Sequence, residues 1–224
     1  MDQIRDGLWI AVDDYFKEKL IAPDEALEAA IEASEAAGLP SIQVSPLQGK
    51  MLHLFAQMVG ARRILEIGTL GGYSAIWMAR ALPPGGMLVT LEFSPKHAAV
   101  ARANLKRAGV LDRVDLREGA ALESLPKLVD EDAGPFDLIF VDADKENNAA
   151  YLEWALRLAH PGTIIITDNV VRSGKVIDAE SSDPAIQGTR RFFDAVSADP
   201  RISATAIQTV GGKTYDGFAL IRVV

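Results

Sequence analysis

The stretch Arg62-Arg63-Ile64-Leu65-Glu66-Ile67-Gly68-Thr69-Leu70-Gly71-Gly72-Tyr73-Ser74 decides how the rest of the chain is read. Ile64, Leu65 and Ile67 make a short buried strand, Gly68, Gly71 and Gly72 a glycine-rich turn, and a helix starts near Tyr73. A strand that turns through glycines into a helix N-terminus lets backbone N–H groups approach a ligand closely. In an open α/β sheet this is also where a nucleotide-like cofactor sits.

Downstream of this unit the alternation continues. Apolar runs over residues 87–92, 114–117, 136–141 and 163–167 read as strands, each separated from the next by a helical stretch. Ser94-Pro95 starts one helix, His160-Pro161-Gly162 closes another, and Asp183 caps a third that runs from Pro184 to about Ala198. Continuous apolar strands between helices indicate a parallel sheet covered on both faces. Residues 202–210 and 218–223 end the chain as an antiparallel hairpin, with Gly212-Lys213-Thr214 as its turn rather than the end of a phosphate loop.

Upstream, residues 1–40 read as two helices, the second entered at Pro23 and stopped by Gly38 and Pro40. Ser45 and Gln48 form a capping box at the start of a third helix, which ends at Gly60. The expected fold is therefore a Rossmann-like, doubly wound α/β domain with a mostly parallel sheet and a C-terminal antiparallel hairpin. Residues 1–224 form one domain, in which 1–60 are a helical extension suited to a lid or a dimer surface and 61–224 the α/β core.

Composition limits the function. A net charge of −8 argues against a general electrostatic grip on nucleic acid or an anionic membrane. The absence of cysteine excludes disulfides, thiolate metal sites and a cysteine nucleophile. No leader or membrane-length apolar run is seen, so the expected location is the cytoplasm. His53, His97 and His160 fall in or at the ends of helices without a motif, and Trp9, Tyr15 and Trp154 read as core aromatics of amphipathic helices.

Ligands in such sheets bind beyond the carboxyl ends of the strands. Those ends carry Glu66 and Gly68, Glu92, then Gly119, Ala120 and Ala121, then Asp142, then Asp168 and Asn169. Any one of these carboxylates alone is best read as solvated; their recurrence in consecutive units is what points to a site. Glu92 ends the second strand, where a carboxylate accepts hydrogen bonds from ribose hydroxyls. The turn Gly68-Thr69-Leu70-Gly71-Gly72 lacks the G-x-G-x-x-G spacing of a dinucleotide site, and Glu66 would repel a pyrophosphate while suiting an ammonium. Together these favour S-adenosylmethionine, its methionine end at Glu66 and Ser74 and its ribose at Glu92. Asp142, Asp168 and Asn169 offer hard oxygens to a divalent cation, Mg²⁺ or Ca²⁺. Lys145, one turn beyond Asp142, is ordinarily a solvated charge, but beside such a cation it becomes a general base.

These residues carry a resemblance. Val44-Ser45-Pro46-Leu47-Gln48-Gly49-Lys50, Leu65-Glu66-Ile67-Gly68, Gly72-Tyr73-Ser74, Glu92, Val141-Asp142-Ala143-Asp144-Lys145 and Asp168-Asn169 resemble the cation-dependent O-methyltransferases of the catechol and caffeoyl-CoA type, in their bacterial form. The resemblance implies that Asp142, Asp168 and Asn169 are metal ligands, with Mg²⁺ foremost and Ca²⁺ or Mn²⁺ as alternatives. It implies that Lys145 is the base, within a catalytic set of Lys145, Asp142 and Asn169. It implies that Val44, Glu66, Gly68, Thr69, Ser74, Glu92, Gly119, Ala120, Ala121 and Asp142 meet the methyl donor, and that the enzyme is a homodimer. The expected acceptor is a small hydroxylated aromatic, catechol-like or hydroxycinnamoyl, contacted by Asp144 and Arg172. Two departures stand out: Asn148 replaces a tyrosine of the plant enzymes, and Asp144 a tryptophan of the animal enzyme. The competing readings are the same chemistry on a hydroxylated tRNA base, an NAD-binding oxidoreductase, and a non-catalytic binding module.

Overall fold

The computed structural model of the chain describes residues 2–212 and 215–224. Three helices come first: α1 (Asp2–Leu20), α2 (Glu25–Ala36) and α3 (Pro46–Met58). The α/β core follows as β1 (Arg63–Ile67), α4 (Tyr73–Ala81), β2 (Met87–Glu92), α5 (Pro95–Arg107), β3 (Val114–Glu118), α6 (Ala121–Asp130), β4 (Phe136–Val141), α7 (Asn148–Arg157) and β5 (Ala159–Asp168). The chain closes with α8 (Pro184–Ala198), β6 (Ile202–Thr209) and β7 (Asp216–Val223). The seven strands lie in the order β3-β2-β1-β4-β5-β7-β6. The pairs from β3 to β5 are parallel, while β7 runs antiparallel to both β5 and β6. This is the doubly wound sheet expected, and the order reverses between β1 and β4, where such folds open a crevice.

Side-chain alternation along the strands builds two cores. Ile64, Leu88, Leu138 and Ile166 face α2 to α5, while Leu65, Ile67, Val89, Leu91, Ile139 and Ile165 face α6, α7 and α8. Glu66 shares the face of Ile64 and is fully buried beneath α4. The capping box of α3 forms in both directions, Gln48 N–H donating to Ser45 Oγ at 3.2 Å and Ser45 N–H to Gln48 Oε1 at 3.0 Å.

Several expectations change. Asp24, not Pro23, opens α2: its carboxylate accepts from the N–H groups of Ala26 and Leu27 and also pairs with Arg80 at 2.6 Å. His160-Pro161-Gly162 does not close a helix but lies inside β5, which begins at Ala159. There Thr163 Oγ1 accepts from His160 N–H and donates to the Phe136 carbonyl, bridging an irregularity in the β4–β5 register. His160 itself sits 3.0 Å from the Asp137 carboxylate. Tyr15 is 57% exposed rather than core, because α1 stands off the sheet with Leu8, Phe16 and Leu20 also open. The hairpin forms with slightly different ends, and Lys213 and Thr214 of its expected turn lie outside the described residues.

Candidate active site

A cavity of about 790 Å³ opens at the carboxyl ends of β1, β2, β3, β4 and β5. The glycine turn forms one wall, and the N–H groups of Gly68, Thr69, Leu70 and Gly72 are already engaged. Glu92 Oε2 accepts from Thr69 N–H at 3.2 Å and Leu70 N–H at 2.7 Å, Gly68 N–H donates to the Leu91 carbonyl, and Gly72 N–H to the Thr69 carbonyl. These four groups are thus taken by the protein itself and leave Glu92 facing the turn. The glycines of the turn answer to packing. Gly68, at φ +98°, has Asp142 O only 2.1 Å from where a Cβ would sit, and Gly71 has Ser34 Oγ at 2.1 Å. The close approach at Gly68 brings the ends of β1 and β4 together.

Glu66 lies behind this wall and not on it. Its Oε1 accepts from Ser74 Oγ at 2.5 Å and its Oε2 from Thr90 Oγ1 at 2.6 Å, with Thr69 Oγ1 2.5 Å from Thr90 Oγ1. The cavity meets Ser74, which Glu66 orients. Burial pushes the Glu66 carboxyl up to about 8; the two hydroxyls oppose the rise, and the charges of Asp142 and Glu92 add to it. A raised folded pKa means that the native state keeps a proton which the unfolded chain releases above its usual 4.5. The stability contributed by that proton is whole below about pH 4.5 and is lost as pH rises towards about 8. Glu66→Gln removes this slope. Urea denaturation of variant and parent between pH 5 and pH 8 should show the difference moving in the variant's favour, by up to about 1.4 kcal/mol per pH unit. Identical pH dependence of the two proteins would place the slope on other groups.

Glu92 keeps 7% exposure at the cavity edge, with Oε1 held by Ser94 N–H at 2.9 Å and 3.3 Å from His97 Nδ1. Gly119, Ala120 and Ala121 continue the wall beside it, and Val44 and Thr69 also reach the cavity. Among the described residues of the N-terminal extension, Ile42, Gln43 and Val44 line it.

The opposite wall is the end of β4 and the turn beyond it. Lys145, 7% exposed, projects from the 3-10 turn Lys145–Asn147 and places Nζ 2.9 Å from Asp142 Oδ1. Val141 pairs with Thr167 in parallel register, so Asp142 and Asp168 leave adjacent strand ends. Burial, then the charge of Asp142, pushes the Asp168 carboxyl up to about 7 against the pull of Lys145. Asn169, at φ +58°, lines the cavity and its N–H donates to Asp168 Oδ1. Among the described residues no three His, Cys, Asp or Glu side chains gather to hold a metal. A cation here requires the Asn169 amide oxygen as third protein donor, and two carboxylates with an amide oxygen suit a hard divalent ion.

Asp144 lies at the mouth, its two oxygens taken by Tyr151 Oη and Asn147 Nδ2, each at 2.5 Å. Arg172 also lines the cavity, whereas Asn148 is buried behind it and makes no wall. The sequence reading missed Tyr151, Asn147, His97 and Phe93 as cavity residues.

Comparison with known proteins identifies the family. The model of the O-methyltransferase family matches residues 18–223. A catechol O-methyltransferase of Niastella koreensis is 55% identical over 213 residues, covering 95% of this chain and 96% of that protein. The O-methyltransferase of Bacillus cereus in complex with S-adenosylhomocysteine superposes with a TM-score of 0.96 at 57% identity, covering 97% and 99% of the two chains. The Streptomyces achromogenes O-methyltransferase involved in tomaymycin synthesis, in complex with S-adenosylmethionine, gives 0.95 at 47% identity, covering 98% of each. No helix among the described residues is long and apolar enough to cross a membrane. The oxidoreductase reading falls with these matches: the chain belongs to the O-methyltransferase family and is an S-adenosylmethionine-dependent O-methyltransferase.

Proposed function

We propose that the enzyme moves the methyl group of S-adenosylmethionine to one hydroxyl of a catechol-like aromatic, with a divalent cation at Asp142, Asp168 and Asn169. The observation that carries the reading is that Lys145, Asp142 and Asn169 share one cavity with the Gly68–Ser74 wall and Glu92. In this reading the adenosine lies along Glu92 and residues 119–121, and the methionine end at Ser74, whose hydroxyl Glu66 orients. A bound divalent cation supplies positive charge that favours the ionised form of an acceptor hydroxyl. Lys145 Nζ, in its neutral amine form, takes the hydroxyl proton and becomes the ammonium beside Asp142. The acceptor oxygen then forms its bond to the methyl carbon as the S–CH₃ bond breaks, and that bonding pair returns to sulfur, leaving S-adenosylhomocysteine. Holding donor and acceptor in line across one cavity supplies much of the rate.

The exposed apolar side chains of α1 (Leu8, Tyr15, Phe16, Leu20), with Met58 at the end of α3, support a homodimer through the N-terminal helices. A cytoplasmic setting suits a cysteine-free chain with small-molecule chemistry. The deciding assay offers catechol and bulk tRNA in parallel, with S-adenosylmethionine and Mg²⁺. Methylated catechol with unlabelled tRNA is the expected result; labelled tRNA with inert catechol would transfer the chemistry to a nucleic-acid acceptor.

A further inference from the structure

The segment after β5 is held in an unusual backbone. Asn169, Arg172 and Ser173 all lie in the left-handed region, at φ +58°, +55° and +55°, before Gly174 at +82°. Asparagine tolerates that region; arginine and serine have less reason to enter it. The conformation is enforced from β7, where Asp216 Oδ1 accepts from Val171 N–H at 2.9 Å and Arg172 N–H at 3.0 Å. Val170 N–H donates to the Gly217 carbonyl at 3.0 Å, closing the segment onto the same strand. What this achieves is to place the Arg172 side chain on the cavity wall that carries Asn169, Asp144 and Lys145.

Arg172 is unlike the other charged groups there. Lys145 is paired with Asp142, Asp144 is satisfied by Tyr151 and Asn147, and Glu92 receives backbone N–H groups. No ion pair to Arg172 is found among the described residues, and its Nε is buried without a hydrogen-bond partner. A permanently charged guanidinium with an unspent buried donor is costly to keep, and its natural complement is a planar anion. Asp142, Asp144 and Asp168 would otherwise repel an anion from this end of the cavity, so the arginine decides whether one can enter.

We propose that the acceptor is an anionic catechol, a vicinal dihydroxybenzene ring bearing a carboxylate, and that Arg172 selects it by donating to that carboxylate. This rests on the methyl-transfer reading above. It separates the free acid from forms of the same ring whose carboxylate is capped, a methyl ester or a coenzyme A thioester. The arginine acts on binding and takes no part in proton removal or methyl transfer.

The test uses the full-length enzyme with S-adenosylmethionine and Mg²⁺, and compares 3,4-dihydroxybenzoate with its methyl ester and its coenzyme A thioester. The free acid should be preferred over the ester by about 10- to 100-fold in kcat/KM, chiefly through KM, as for a charge-assisted pair. Arg172→Leu should bring the acid-to-ester ratio close to one, and Arg172→Lys should restore part of it. S-adenosylhomocysteine affinity, measured calorimetrically, reports whether each variant is folded, and the preference of the unaltered enzyme decides the matter without any variant. Equal or better use of the ester or thioester, or an unchanged ratio in folded Arg172→Leu, overturns the proposal while leaving the methyl-transfer reading intact. Failure to methylate all three rings overturns both.

Discussion

Lys145→Ala is expected to lower kcat by about 10²- to 10⁴-fold, the range of a lost general base, while S-adenosylhomocysteine affinity stays within about threefold. The two halves of this expectation come from different parts of the cavity. The wall proposed for the methyl donor is the β1–α4 turn, Glu92 and residues 119–121, none of which bonds to Lys145. The lysine belongs to the acceptor side, nearly buried, with Nζ against Asp142 Oδ1. Its turn is clamped by α8: Gly188 packs so closely that a Cβ there would stand 2.3 Å from Lys145 O and 2.5 Å from Glu146 Cα. A fixed amine at the acceptor wall is what proton removal in line with methyl transfer requires. A purely structural lysine would make the same ion pair, so Lys145→Arg separates the roles. Arginine keeps the positive charge beside Asp142 but cannot accept a proton at working pH. Stability near that of the parent with turnover as low as in Lys145→Ala supports the base. Near-parental turnover in Lys145→Arg removes it.

The scaffold was legible because its signals are local. Ile64, Leu65 and Ile67 followed by three glycines need no tertiary knowledge to be read as a strand and a tight turn, and the carboxylates recur where βαβ units end. What the glycines serve was not legible. The partner of Gly68 is the carbonyl of Asp142, more than seventy residues away, and only the β1–β4 pairing brings them together. The place of Glu66 was half legible: period-two alternation puts it on the face of Ile64 and under α4, whereas the expectation set the methionine end of the donor directly at its carboxylate. His160-Pro161-Gly162 misled because proline and glycine usually end an element. In β5 the bonds of Thr163 to both strands carry the chain through them. The left-handed backbone at Arg172 has no sequence signature at all, since it is imposed by Asp216 from β7, more than forty residues further along the chain.

Chelation of divalent metal should abolish turnover, by more than about 100-fold, and added Mg²⁺ should restore it. The protein alone satisfies this corner poorly. Asp142 and Asp168 leave adjacent parallel strands, and Asp168 is only 5% exposed. Its carboxyl is driven up to about 7 by burial and by its neighbour's charge, and Asp216 adds to the same effect. Lys145 offsets part of the repulsion, but a fold seldom sets a buried carboxylate beside a half-buried one and an amide oxygen at the edge of a cavity without a cation to receive them. Because such an ion binds the native chain and not the unfolded one, the prediction has a readout besides turnover. Mg²⁺ at about one hundred times its Kd should stabilise the protein by about 2.7 kcal/mol, seen as a rise in Tm. Asp168→Asn should lose that rise together with activity, while S-adenosylhomocysteine still binds, because the donor wall lies on the other side of Gly68 and is bonded to neither aspartate. Full turnover after chelation, or a Tm indifferent to Mg²⁺ in the unaltered enzyme, would leave Asp142, Asp168 and Asn169 as a polar cluster held for another purpose.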